Sequence, residues 1–320
     1  MITLFLIVSL IIIHRAHKIQ FCRADYDKHL PLQRYEIDLQ EVPQKDIFIQ
    51  SGRNRLKGTM FGCSESARLL VISSGHRCPT EDYLEYVRFF TKRGWMVFCY
   101  DYTGYYSSEG ESSIDYIQAV KDLDLVLTYF ENHEEYSKMS VSLFGHSLGG
   151  YVSLAVLNYS HKIKSVVSAS GFDTPVEQWG YSVKRYSGIF GFLEGKLAEI
   201  YEYFVYGKET RELSAVKGID SSNIPILVLS GTTDVFYGGV SSIYKQKDSI
   251  KNPKCRFMLM DKLGKNGHYD YLLSDEAIEL RGKYQGEEDK VDDKQLYSSI
   301  DIDLFEEMNS FLDCSPIKSR

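Results

Sequence analysis

The 320 residues contain no G-x-x-x-x-G-K-[ST] loop, no C-x-x-C pair and no cluster of metal ligands. Phosphate-cradling nucleotide chemistry and a zinc site therefore have no visible carrier, and neither a cofactor nor a metal is expected. No repeat of fixed period is present. Positive charge is in short supply, with 37 Lys and Arg against 44 Asp and Glu for a net charge of −7. That average field repels a phosphate backbone, so nucleic acid is not expected as a partner. Six cysteines are an even number, but Cys22, Cys63, Cys78, Cys99, Cys255 and Cys314 are scattered. In a chain this long, reduced structural thiols are the expectation rather than a disulfide framework.

What is present is an ordinary globular balance, 43% hydrophobic and 25% charged. It is enough for one α/β domain of roughly 250 residues with an insertion. The amino terminus stands apart. Ile2 to Ile13 is almost wholly apolar, and His14, Arg15, His17 and Lys18 follow it. Twelve helical residues span about 18 Å, short of a hydrocarbon core of roughly 30 Å. No basic residue precedes the run and no A-x-A site follows it, which argues against a cleaved signal. The expectation is a membrane-associated chain held through residues 2–13, its main domain on the cytoplasmic side. A secreted protein and a short core helix are the alternatives. The sequence divides into this segment, residues 1–20, and a domain over residues 32–320.

In that domain, strand-like and helix-like segments alternate. Asp46–Gln50 and Leu56–Phe61 flank a turn and predict a hairpin. The continuous apolar run Arg68–Ser73 predicts a strand covered on both faces, Trp95–Tyr100 the next buried strand, and Met139–Phe144, Ile163–Ala169 and Ile224–Ser230 further strands. Cys255–Met260 is strand-like as well. Between them fall helices predicted at Asp82–Lys92, Ser113–Asn132 with Ser113 as N-cap, Tyr151–Tyr159 and Asp301–Leu312. The alternation predicts a doubly wound, mostly parallel α/β sheet. Residues 173–218 interrupt it with an aromatic-rich, helical insertion, as a cap over a pocket would. Lys283 to Lys294 is charge-dense and predicts a solvated loop.

Gly145-His146-Ser147-Leu148-Gly149 fits G-x-S-x-G, and Ser147 falls on the turn between a predicted strand and helix. That turn lifts a hydroxyl above the sheet edge, and the glycines remove clashing side chains. A serine hydroxyl becomes a nucleophile only when a base takes its proton and a third group orients the base. Asp234, after Ile224–Ser230, and His268, after Cys255–Met260, follow Ser147 in the chain order Ser, acid, His. Asp173, just beyond Ile163–Ala169, is a rival acid. Of the eight histidines only His268 is late in the chain; His146 is expected to point elsewhere on its turn. Oxyanion donors are expected at the amides of Leu148 and of His76, with Arg77 a rival for the second.

The strand ending in Gly75-His76, the segment Asp101-Tyr102-Thr103-Gly104, the elbow Gly145–Gly149, the Gly231–Asp234 turn and the Gly267-His268 pair together resemble the α/β-hydrolase superfamily. Within it the chain resembles the branch of monoacylglycerol lipases, small esterases and serine aminopeptidase-like hydrolases. The resemblance implies an eight-stranded core and a Ser147–Asp234–His268 triad. The oxyanion loop lacks the HGGG run of some lipases, which argues against bulky tertiary esters. Hydrolysis of a small-molecule acyl ester, a monoacylglycerol or small aryl ester, is the first expectation. A serine aminopeptidase is the second, with Glu177, Glu194, Glu199 or Glu202 of the cap holding a substrate ammonium. A non-catalytic binding protein on the same fold is the third.

Overall fold

The computed structural model describes residues 2–26, 39, 41–63, 65–236, 242–284 and 299–314. The chain opens with helix α1 (Ile2–Gln20), then the hairpin β1 (Gln44–Ser51) and β2 (Asn54–Phe61), followed by β3 (Arg68–Ser73), α2 (Leu84–Thr91) and β4 (Met96–Tyr100). Helix α3 (Tyr116–Asn132), β5 (Ser140–His146), α4 (Leu148–Ala155) and β6 (Ile163–Ala169) come next. Four helices intervene before the next strand: α5 (Pro175–Tyr186), α6 (Gly191–Tyr206), α7 (Glu209–Glu212) and α8 (Ala215–Ser221). The chain closes with β7 (Ile226–Gly231), α9 (Ser242–Lys245), β8 (Cys255–Met260), α10 (Asp275–Lys283) and α11 (Ile302–Leu312).

The strands form one eight-stranded sheet in the order β1-β2-β4-β3-β5-β6-β7-β8. Only the pairings of β2 with β1 and with β4 are antiparallel; every pairing from β4 to β8 is parallel. The unbroken apolar runs explain this. Successive strand residues point to opposite faces, so a run that is apolar throughout must be covered twice. Leu69, Val71, Phe98, Ile226 and Val228 join the core on the side of α3 and α4. Leu70, Ile72, Val97, Leu227 and Leu229 join the other core, with Phe89 of α2 and Phe305 of α11. Each such side chain removed from water contributes roughly 2 kcal/mol. The mostly parallel α/β architecture is as the alternation predicts, and all six cysteines are free thiols.

Several elements differ from their sequence expectation. Helix α3 starts at Tyr116, and Asp115 rather than Ser113 is its N-cap, accepting from the Gln118 amide. Ser113 instead donates its amide to Phe21 O, and Ile114 takes a left-handed turn and stays exposed. Helix α4 begins immediately after Ser147 rather than at Tyr151, and the chain beyond Ala155 tightens into a 3-10 turn. Helix α1 runs through the basic flank to Gln20, so it is 19 residues and about 28 Å long, not about 18 Å. His14, Arg15, Ala16 and Lys18 carry no helix-breaking feature, and His14 and His17 find partners on the cap, described below. Most of the segment predicted as a solvated loop lies outside the described residues.

One buried carboxylate ties the front of the sheet to α3. Asp122 is fully buried and accepts from the Thr103 amide (2.7 Å), Thr103 Oγ1 (2.9 Å), Gln118 Nε2 (2.8 Å) and Ser51 Oγ (3.0 Å). Removing it strands a buried amide donor, which costs more than the bond itself. Asp122→Ala is expected to lower unfolding free energy by about 3 kcal/mol in urea denaturation, with Asp122→Asn milder.

Candidate active site

The site begins with a backbone constraint. Ser147 has φ 58° and ψ −117°, a left-handed conformation that costs energy for a side chain with a Cβ. It sits between the last residue of β5 and the first of α4, with its amide donated to Ala169 O (2.8 Å). The turn is possible because its flanks lack side chains. A Cβ on Gly145 would fall 2.0 Å from Gly149 O, and one on Gly149 would fall 1.9 Å from Ser73 O. The glycines of the sequence pattern therefore let α4 press against β3 and hold the hydroxyl over the sheet edge.

Two loops at the same edge meet this hydroxyl. His268 Nε2 lies 2.8 Å from Ser147 Oγ, and His268 Nδ1 lies 2.7 Å from Asp234 Oδ2. The Asp234 side chain is completely buried, and its second oxygen accepts from the Phe236 amide (2.9 Å). The acid and histidine loops are laced together. Thr233 donates its amide and its hydroxyl to Asn266 O (2.9 Å each), and Asn266 Nδ2 donates to Thr232 Oγ1 (3.1 Å). The carboxylate fixes the tautomer: Nδ1–H donates to Asp234, which leaves Nε2 as the acceptor for the serine proton. Asp173, the rival acid, is occupied elsewhere. It accepts from Ser214 Oγ (2.6 Å), the Val216 amide (2.9 Å) and Gln246 Nε2 (3.0 Å), joining β6 to α8.

The loop after β3 reaches Ser147 as well, since a Cβ on Gly75 would stand 3.4 Å from Ser147 Cβ. The Gly75 amide is donated to Tyr83 Oη (2.8 Å). Among the described residues neither the Leu148 nor the His76 amide meets an acceptor. Leu148 is the first residue of α4, where the helix dipole adds positive potential. The rival residue Arg77 is in a left-handed turn, its guanidinium directed to Ile19 O and Cys22 Sγ. The His76 ring does not face open space. Tyr105 Oη donates to its Nδ1 (2.6 Å), and its Nε2 donates to Gln20 O (3.2 Å). Burial lowers its pKa to about 4, so it stays neutral near pH 7.

Sequence reasoning set aside His146 and gave no reason to notice Tyr83. In the fold they form a link behind Ser147. Tyr83 Oη, which accepts from Gly75, donates to His146 Nδ1 (3.4 Å), and His146 Nε2 donates to the carbonyl of His268 (3.3 Å). The donor order follows from what each atom has left to offer. Burial lowers the His146 pKa to about 3, with His268 adding to the effect, so it remains a neutral strut. The cap leans on the acid loop from above: Tyr181 Oη and Arg185 Nη1 both donate to Val235 O (3.0 and 2.7 Å), and the Phe236 ring lies 4.7 Å from that of His268. Among the described residues no group of three metal-ligating side chains occurs.

Comparison with known proteins agrees with this architecture. A family model described as "Serine aminopeptidase, S33" matches residues 64–206, from just before β3 to the end of α6, and so includes Ser147. A curated polyketide transferase, grgF of a Penicillium species, is 25% identical over 133 residues. That match covers 40% of this chain and 45% of the relative, so the chain spans under half of that protein's length. Among solved structures, an esterase of Pyrococcus furiosus superposes with a TM-score of 0.59 at 16% identity, over 88% of this chain and 96% of the esterase. The α/β hydrolase GrgF from Penicillium sp. sh18 superposes with a TM-score of 0.53 at 17% identity, over 77% and 98%. At those identities the likeness speaks for the fold. Taken with the strand order and the strained serine between β5 and α4, it shows that the chain has the α/β-hydrolase fold.

Proposed function

We propose that the chain is a serine hydrolase that cleaves carboxylic esters through an acyl-enzyme. The observation that carries this reading is the continuous pair of hydrogen bonds from Asp234 through His268 to Ser147. Ser147 Oγ attacks the acyl carbon while its proton passes to His268 Nε2. Asp234 stabilises the imidazolium without taking its proton. The negative charge that develops on the carbonyl oxygen meets the amides of Leu148 and His76, held in place before the reaction starts. His268 then returns the proton to the departing alkoxide. A water that gives its proton to the same nitrogen releases the acid and restores the serine.

Ester is favoured over peptide by the state of the cap carboxylates. A terminal ammonium would need one of them open to the site. Glu194 accepts from Ser9 (2.6 Å), Glu199 pairs with Lys196 (2.8 Å), and Glu202 is buried beside His17 (3.2 Å). Glu177 is exposed at the start of α5. The aromatic cap favours a hydrophobic acyl group such as that of a monoacylglycerol or small aryl ester. A fold of this kind that has lost catalysis would serve binding alone, and reactivity separates the two cases.

A fluorophosphonate probe is expected to modify Ser147, and the labelling to vanish in Ser147→Ala; a wild-type chain that stays unlabelled refutes the reading. Asp234→Asn is expected to lower kcat on the order of 10⁴-fold, since it leaves the imidazole in the wrong tautomer. Across p-nitrophenyl esters of rising chain length, kcat/KM is expected to rise beyond acetate and to exceed that for amino-acid naphthylamides; activity confined to acetate contradicts the hydrophobic pocket. His146→Ala frees the main chain of His268 and is expected to lower kcat on the order of 10- to 100-fold with KM little changed. His146→Gln, which keeps a donor, is expected to recover part of that loss.

A further inference from the structure

Helix α1 is polar inside and apolar outside. Its buried stripe, Ser9, Ile13 and His17, follows the four-residue spacing of one helix face and lies on α6. There Ser9 Oγ donates to Glu194, Tyr201 Oη pairs with His14 Nδ1 (2.7 Å), and Tyr206 stacks on His17, which adjoins buried Glu202. The opposite face shows Leu4, Ile7, Ile11 and Ile12, between 51% and 67% exposed. Helix α6 runs alongside, and the residues it turns outward, Leu193, Ile200 and Phe204, with Ile189 just before it at 94% exposure, fall on one side of the helix. A helix that buries Ser9 and His17 and displays isoleucines is arranged for an apolar medium rather than for water.

We propose that this joint face of α1 and α6 docks on an anionic lipid membrane, with α1 lying in the headgroup layer as a fixed part of the α/β unit rather than crossing the bilayer. Charge selects the occupant. The first 24 residues carry Arg15, Lys18 and Arg23 and no acid, in a chain whose net charge is −7. Arg15 and Lys18 are exposed in the last turns of α1, beside the apolar face, where anionic headgroups would meet them. A second copy fits less well. A two-fold contact sets the same patch against itself, so the Arg15 and Lys18 of both copies would enter one interface with no acid in that stretch to pair with. Crossing is opposed by the anchorage. Residues just past α1 are stitched into the core by bridges Cys22 to Ser112 and Ala24 to Tyr105, and by Arg23 on the carbonyls of Tyr106, Ser108 and Gly110. A spanning α1 would also leave Glu202 buried without His17, a costly state for a carboxyl group. The last turn of α1 receives His76 at Gln20 O, so the docked helix adjoins the loop that faces Ser147. Acyl esters dissolved in the leaflet would then lie beside the site. That final step rests on the ester reading; the docking does not.

The test is flotation of the full-length chain with vesicles of phosphatidylcholine, with and without a quarter phosphatidylserine. The wild type is expected to float with the anionic vesicles. Ile7→Glu/Ile11→Glu and, separately, Ile189→Glu/Phe204→Glu are each expected to reduce binding at least tenfold, because both helices form the face. Arg15→Gln/Lys18→Gln is expected to abolish the preference for phosphatidylserine. Carbonate-resistant insertion that ignores the Ile189→Glu/Phe204→Glu change indicates a spanning helix and overturns the proposal. A lipid-indifferent dimer that the Ile7→Glu/Ile11→Glu change dissociates overturns it too. Fluorophosphonate labelling of Ser147 in the same variants keeps the questions apart. Labelling without flotation removes the docking and leaves the hydrolase; flotation without labelling does the reverse.

Discussion

Everything at the sheet edge is arranged around the left-handed backbone of Ser147. A serine held at φ 58° is strained, and the surroundings hold it there: a hydrogen bond from its amide to β6, and contacts on both sides that admit no Cβ at Gly145 or Gly149. The strain raises the hydroxyl above the core and places the Leu148 amide at the start of α4, beside that oxygen. On the proposed reading, one turn thus sets both the nucleophile and a stabilising donor. The parallel sheet does the rest, because loops that leave neighbouring strands at the same edge arrive together.

Those loops are not independent of one another. The acid and histidine loops share three hydrogen bonds through Thr232, Thr233 and Asn266, so Asp234 and His268 move as one piece. Behind them, Tyr83 and His146 connect the amide of Gly75 to the carbonyl of His268. The loop after β3, the elbow and the histidine loop are therefore joined through two side chains, Tyr83 and His146. A neutral His146 suits that task, since a charge so close to His268 would disfavour the imidazolium of the proposed reaction.

Much of this was readable from the letters. Arg68–Ser73, Ile163–Ala169 and Cys255–Met260 were legible as strands because short segments rich in apolar and β-branched residues alternate with helical periods. Ser147, Asp234 and His268 could be picked out because each follows such a strand, and in the fold they lie within hydrogen-bond reach. What was not legible depends on contacts remote in sequence. Tyr83 looked like one more residue of a helix, and His146 matters only because the His268 carbonyl lies across from it. Helix α3 starts later than Ser113 because the carboxylate of Asp115 takes the helix end, a choice settled by Ser113 donating its amide to the distant Phe21. The reach of α1 was underestimated because its histidines read as a flank, when in the fold they face the cap.

The central claim is that an acyl group passes through Ser147. Mixing the protein with an excess of p-nitrophenyl ester, quenching in acid within the first turnovers and mapping the adduct by peptide mass spectrometry tests it directly. The account predicts a stoichiometric burst of nitrophenol and one acyl group on the peptide that carries Ser147. Hydrolysis with no acyl adduct, or with the acyl group on another residue, would contradict it.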